Sequence, residues 1–294
     1  MANAEFGLIV RPTSQDLPVN TLLEYNWNAI QTVSTSFTTL WVEDHLQWSE
    51  APTLECITTL SYLAGAFPAF QLGTAVLSQA YRNPALIAKM AANLQFLTGG
   101  RLILGIGTGW KEDEYHAYGY PFPDPKTRVE QLEETIFLIR SMWTSSPAYF
   151  RGHHYHIEGA YCEPRPAFPI PLLIGGGGEL RTLKLVARYA DWWNYNSCTV
   201  EEYARKVAIL KKYCAAIGRD PAEIRLTYLA TVSVAEDPSQ VLRHPEKHYV
   251  AGNATEVIKE LQQFCEVGVT HFMVKFLNLA QLRHFVQDIV PHFV

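Results

Sequence analysis

The hydrophobic period of this 294-residue chain switches roughly eight times between short apolar runs and longer stretches with helical spacing. Such alternation is the mark of repeated strand–helix units, in which the strands are buried on both faces and the helices cover them. The predicted strands are Phe6–Val10, Thr39–Val42, Phe70–Leu77, Arg101–Ile106, Leu172–Ile174, Ala190–Tyr195, Ile224–Val234 and His271–Phe276. Between them the spacing predicts helices over Thr21–Ser34, Thr53–Ala66, Asn83–Leu97, Thr127–Trp143, Glu179–Tyr189, Val200–Ile217 and Ala254–Val267. Asn83 and Pro84 supply a cap and a first helical residue, and Leu22, Leu23, Trp27 and Ile30 are expected on one side of the first helix. Eight units is the count of a (β/α)8 TIM barrel, an α/β fold that reaches this length as a single domain spanning 1–294. Tyr149–Glu163 alternates aromatic and polar residues and reads as an inserted β-hairpin, whereas Asp237–Lys247 reads as a loop inside the same domain.

Bulk properties narrow the partners. The net charge is −5 and no Lys/Arg cluster occurs, which argues against nucleic acid and acidic membrane surfaces. The five cysteines are scattered with no CxxC pair, so neither a disulfide framework nor a zinc site is expected and the thiols read as small buried apolar groups. No basic n-region precedes the first charge and proline, and no segment has the apolar length of a membrane span. The cytoplasm is the expected location.

In a barrel, chemistry belongs at the carboxyl ends of the strands. After the fifth strand the chain reads PLLIGGGGELRTLK, four consecutive glycines opening a helix with Arg181 and Thr182 in its first turn. Glycines let main-chain N–H groups converge on an anion, and a helix N-terminus adds free donors and partial positive charge. Gly175, Gly176, Gly177 and Gly178 cost folding entropy that a plain turn does not need. The junction Leu102–Tyr115, LILGIGTGWKEDEY, is a weaker second case without GxGxxG spacing. Together they suggest a phosphorylated cofactor across the strand ends.

Glu43-Asp44-His45 follows the second strand, and a carboxylate beside an imidazole offers proton transfer, with Trp48 able to wall a flat ring. The competing reading makes Asp44 a loop cap and His45 a solvated surface group. Small residues from Gly73 to Ser78 suit either a flat cofactor pressed on the backbone or an ordinary buried strand. His154 and His156 share a hairpin face, yet no third ligand has fixed spacing and no metal is assigned. Glu130, Glu133 and Glu134 read as a solvated helix face opposite Ile136, Leu138 and Met142; Glu112, Asp113 and Glu114 read as favouring a helix N-terminus.

The segments LWVEDHLQW, QLGTAVLSQAYRNPALIAKMAANLQFLTGGRLILGIGTGWKEDEYHAYGYPF, PIPLLIGGGGELRTLKLVARYADWWN and GVTHFMVKF, in this order, resemble the bacterial luciferase-like family of flavin and deazaflavin oxidoreductases. The resemblance implies a (β/α)8 barrel with an insertion near strand seven and a phosphate-bearing tricyclic ring across its mouth. It implies that Asp44 and His45 lie against the ring with His45 as the proton-transfer group, and that Trp48 is an aromatic wall. Ala75-Val76 falls where the deazaflavin branch has a non-prolyl cis peptide backing the ring, with Ser78 just beyond; Thr108 and Gly109 flank the cofactor; Gly175–Gly178 and Arg181 hold its phosphate. EDHL followed by an aromatic, together with TAV, favours coenzyme F-420 (F420), an 8-hydroxy-5-deazaflavin, over FMN.

One position departs from the pattern. The branch acting on glucose 6-phosphate places a catalytic glutamate after the strand-four glycines, where this chain has Trp110, so the sugar-phosphate reaction is not assigned. Trp48, Trp110, Tyr115 and Trp193 suggest an apolar or aromatic small-molecule substrate. The reading is hydride transfer between F420 and such a substrate, by a homodimer as the resemblance suggests. Alternatives are an FMN-dependent monooxygenase fed by a flavin reductase, a non-catalytic flavin-binding barrel, and an aldolase or isomerase for which Lys275 is the only candidate Schiff-base lysine.

Overall fold

A computed structural model describes residues 3–14 and 17–293. The chain begins with β1 (Glu5–Val10), α1 (Leu22–Val33), β2 (Thr39–Val42), α2 (Cys56–Ala66), β3 (Gln71–Thr74), the short β4 (Leu77–Ser78), α3 (Pro84–Leu97) and β5 (Leu102–Gly107). It continues through α4 (Glu112–Ala117), α5 (Pro125–Thr144), β6 (Ala148–Arg151), β7 (His156–Ala160), β8 (Leu172–Gly175), α6 (Thr182–Tyr189) and β9 (Trp192–Asn196). It ends with α7 (Val200–Ala216), β10 (Arg225–Val234), β11 (Val250–Gly252), α8 (Ala254–Val267), β12 (Val269–Phe276) and α9 (Leu279–Asp288).

The parallel order β10-β12-β1-β2-β3-β5-β8-β9 closes on itself because β9 also pairs with β10, Tyr195 lying opposite Tyr228. This is the expected eight-stranded barrel, with β4 continuing β3 and β11 attached to β10. Two apolar layers hold it. Leu8, Leu40, Leu72 and Leu104 face outward into the helices with Ile30, Leu60 and Ala91, while Ile9, Trp41, Ile103, Leu173, Leu229 and Met273 fill the interior. Alternation of strand side chains between two apolar layers explains why the strands read as continuous apolar runs.

The hairpin is present, β6 and β7 pairing antiparallel. Where the resemblance places an insertion, after the seventh barrel strand β10, the chain makes a loop that includes β11. No helix among the described residues is long and apolar enough to cross a membrane. None of the cysteines is bridged, and four of the five are buried.

Several details differ from the sequence reading. The buried side of α1 carries Leu22, Asn26, Ala29, Ile30 and Val33, so Leu23 and Trp27 face outward. Asn26 sits in that apolar row because its side chain caps the end of β1, accepting the Arg11 N–H and donating to the Arg11 carbonyl at 3.0 and 2.8 Å. The predicted third strand is split at a cis Ala75–Val76 peptide, which the resemblance had placed there. Helix α6 begins at Thr182 rather than Glu179, and α9 is a helix beyond those the spacing predicts. Glu134 leaves the solvated face: its carboxylate accepts the N–H groups of His153, His154 and Tyr155 at 2.6, 2.8 and 3.0 Å and ties the hairpin tip to α5.

Candidate active site

All eight barrel strands run in one direction, so the segments after β2, β3, β5 and β8 open on a common rim. Those segments, with the last residue of β8, contain every residue singled out as a cofactor contact or catalytic group.

Asp44 is buried at the end of β2, and its two oxygens are fully engaged. Arg82 approaches both of them, Nη2 to Oδ1 at 2.8 Å and Nη1 to Oδ2 at 2.9 Å, and the Ser78 N–H donates to Oδ2 at 2.9 Å. Arg82 also pairs with Glu55, the N-cap of α2, which joins two successive βα units. A planar guanidinium facing a carboxylate in this bidentate way is geometrically demanding and orients the loop it grips.

His45 points elsewhere. Its Nδ1 lies 3.0 and 3.2 Å from the two oxygens of Glu114, a carboxylate with no exposed side-chain surface. Tyr81 donates its hydroxyl to Glu114 Oε2 at 2.7 Å. Trp48 and Trp110 meet the imidazole edge-on, with centroids at 4.9 and 5.9 Å. The imidazole's carboxylate partner is therefore Glu114, not the neighbouring Asp44. In the sequence Glu114 reads only as helix-terminal charge; Glu112 and Asp113 do stay exposed, but the short α4 turns Glu114 and Tyr115 inward.

Around the ring-backing position, the Val76 side chain projects toward β5 and β8. A Cβ on Gly175 would lie 2.8 Å from Val76 Cγ2, closer than packed carbons approach. Ser78 Oγ and Tyr115 Oη share a hydrogen bond, and the Thr108 carbonyl accepts from Tyr115 at 3.3 Å. Gly109 is held through its carbonyl by Arg128 at 2.6 Å. Tyr115 and Trp193 are fully buried, Trp193 donating to the Gly176 carbonyl at 2.9 Å, so only Trp48 and Trp110 of the four expected aromatics stand at the mouth.

Packing within the chain explains part of the glycine run: Gly175 abuts Val76, and a Cβ on Gly177 would strike Tyr195 and Lys206. It leaves something over. Among the described residues, the main-chain N–H groups of Gly177 through Thr182 have no acceptor in the chain. Lys206, itself buried, donates to the Gly177 carbonyl at 2.9 Å and holds that oxygen back. Arg181 is exposed at the N-cap of α6, and its side chain makes no hydrogen bond or ion pair with the described residues. A row of free donors beside an unpaired guanidinium at a helix start fits a phosphate.

Lys275 is not a free amine. It pairs with Glu43 at 3.0 Å across the mouth, and although burial pushes the Glu43 carboxyl up, the charge of Lys275 foremost among its neighbours outweighs it and the net shift is downward. Among the described residues no group of three or more His, Cys, Asp or Glu side chains is arranged to hold a metal ion.

Comparison with known proteins gives three findings. The family model for luciferase-like monooxygenases matches residues 31–273. An F420-dependent glucose-6-phosphate dehydrogenase of Intrasporangium calvum is 35% identical over 87% of this chain and 90% of its own, and one of Kineococcus radiotolerans is 28% identical over 90% of each. Among solved structures, an F420-dependent secondary alcohol dehydrogenase in complex with an F420-acetone adduct shares the fold with a TM-score of 0.87 at 20% identity, covering 99% of each chain.

Proposed function

This chain belongs to the luciferase-like monooxygenase family, and from that membership we propose that it is an F420-dependent oxidoreductase moving a hydride between the deazaflavin and a small organic substrate. The F420-dependent relatives support the cofactor. The observation that carries the reading is the row of unpaired N–H groups from Gly177 to Thr182, with Arg181 beside it, on the same rim as His45. These groups suit the phosphate of F420, while Ala75, Val76 and Ser78 would lie behind the ring and Thr108 and Gly109 along it.

F420, when bound, supplies a hydride-transferring carbon at the position where a flavin has nitrogen. The chain supplies the rest. His45 exchanges the proton that accompanies the hydride, at the substrate oxygen. Asp44, clamped by Arg82 and Ser78, holds the loop that carries His45. Trp48 and Trp110 shield the reacting groups from water and present flat apolar surfaces, which suits an apolar or aromatic substrate. With Trp110 where the resemblance places the glutamate of the sugar-phosphate reaction, substrate choice differs from that branch. A homodimer in the cytoplasm completes the reading.

Titration of the purified protein with F420 and with FMN, followed by absorbance and fluorescence quenching, tests it. The expected result is tight F420 binding, reduction of F420 by members of a panel of secondary and aromatic alcohols, and loss of that turnover in His45→Ala with F420 still bound. Tight FMN binding with none for F420, and oxygen-dependent turnover of reduced FMN, would replace it with a monooxygenase. Unchanged turnover in His45→Ala would remove the assigned proton-transfer role.

A further inference from the structure

His45 is surrounded by charge, yet among the described residues only one group addresses its Nδ1. Asp44, adjacent in sequence, has both oxygens taken by Arg82 and the Ser78 N–H. Glu43 turns across the barrel mouth to Lys275. Among the described residues Glu114 alone meets Nδ1, with both of its oxygens within 3.2 Å.

We propose that Glu114 is a positioning residue that holds His45 with its proton on Nδ1, so that Nε2 is the nitrogen the substrate oxygen meets. The proposal rests on the function above only for what Nε2 does. An ionised carboxylate is purely an acceptor, so the ring nitrogen facing it must donate. Glu114 is already the acceptor for Tyr81, at 2.7 Å. Burial, reinforced by Glu114 itself, pushes the Tyr81 phenol far above its ordinary value, so Tyr81 keeps its proton and stays a donor. With the Tyr81 hydroxyl donating to Oε2, an ionised Glu114 accepts on both sides, from Tyr81 and from the His45 Nδ1–H.

Trp48 and Trp110 stand at 83° and 85° to the imidazole plane and restrict its rotation. Because the two nitrogens lie on opposite sides of the ring, engagement of Nδ1 frees Nε2 on the other side. In the oxidative direction the alcohol O–H bond would break with its proton passing to Nε2, and bound F420 would supply the acceptor for the hydride that leaves the carbinol carbon as the carbonyl forms. The imidazolium so produced is stabilised by Glu114, and the reverse reaction returns the proton to the carbonyl oxygen.

The test replaces the carboxylate and its second donor together, Glu114→Met with Tyr81→Phe, so that neither polar partner is left buried and unpaired. Nitrogen-15 NMR of histidine-labelled, cofactor-free protein reads the tautomer directly. Wild type should show a protonated Nδ1 and a bare Nε2 on His45; the double variant should lose that preference, and Glu114→Asp should retain it in part. With F420 added, the double variant should keep its Kd within about threefold while kcat falls ~100-fold, the scale on which partners that orient a histidine act. An unchanged Nδ1–H tautomer in the double variant, or kcat within threefold of wild type, would overturn the role of Glu114. Should the double variant not fold, Glu114→Met with Tyr81 intact, which also removes every acceptor facing Nδ1, carries the same two readouts. The tautomer is measured without cofactor, so it decides about Glu114 separately; failure of the functional reading would show instead as wild-type protein that does not turn over F420.

Discussion

Arg82 grips both oxygens of Asp44, at 2.8 and 2.9 Å, and turns the acidic residue beside His45 into an anchor for the loop that carries the imidazole. The Asp44 side chain is wholly buried and that of Arg82 is 11% exposed, so breaking the pair takes the buried carboxylate from the guanidinium and leaves it the more exposed Glu55 alone. Asp44→Asn is expected to cost about 3–5 kcal/mol in urea unfolding, the range for losing one partner of a buried ion pair. A variant that instead keeps wild-type stability and loses only cofactor affinity would make Asp44 a direct ring contact.

Val76 and Gly175 make the second testable relationship. Gly175→Ala puts a methyl 2.8 Å from Val76 Cγ2, and overpacking of this kind costs about 1–3 kcal/mol. Thermal unfolding should show a lower Tm, and F420 should bind more weakly because the ring-backing surface moves. Adding Val76→Ala should recover part of the stability. Equal stability of Gly175→Ala and wild type would show that the close approach is not needed.

Arg181 is exposed and unpaired among the described residues, so removing it should leave folding intact. Arg181→Ala is expected to weaken F420 by about tenfold at low salt, and the difference from wild type should shrink as ionic strength screens the exposed charge. Fluorescence titration at two salt concentrations reads both effects. A salt-independent affinity equal to wild type would remove Arg181 from the phosphate site.

Glu55 links acid stability to the same network. Burial pushes its carboxyl up, but hydrogen bonds from Thr58, Arg82 and the Ile57 N–H outweigh it, and it titrates at about 2 rather than 4.5. A carboxyl with a lowered folded-state pKa stabilises above its unfolded value and loses that contribution as it protonates. The contribution of Glu55 should therefore be complete above pH 4.5 and disappear as the pH falls through about 2. Unfolding of Glu55→Gln, compared with wild type across that window, should show a flatter pH dependence.

The barrel was legible because its strands pack on both faces and its helices on one, which leaves period and run length as plain signals. The strand-end positions of His45 and Gly175–Gly178 followed from the same pattern. What escaped the sequence depended on tertiary contacts. Nothing in Glu112-Asp113-Glu114 distinguishes the third carboxylate from the first two; only the seating of α4 against Tyr81 and His45 buries it. The α1 face differs from its apolar pattern because a buried polar residue, Asn26, occupies its inward row while apolar Leu23 and Trp27 lie outside. Trp193 resembled a pocket wall in sequence, yet strand alternation turns it outward from the barrel, where its indole N–H holds the Gly176 carbonyl.

The most direct test of the account is a crystal structure of the protein with F420 bound. The account predicts the phosphate within hydrogen-bonding distance of the N–H groups between Gly177 and Thr182, and the hydride-transferring carbon of the ring on the side of His45 Nε2. A phosphate seated elsewhere, or a ring whose reactive edge faces away from His45, would contradict it.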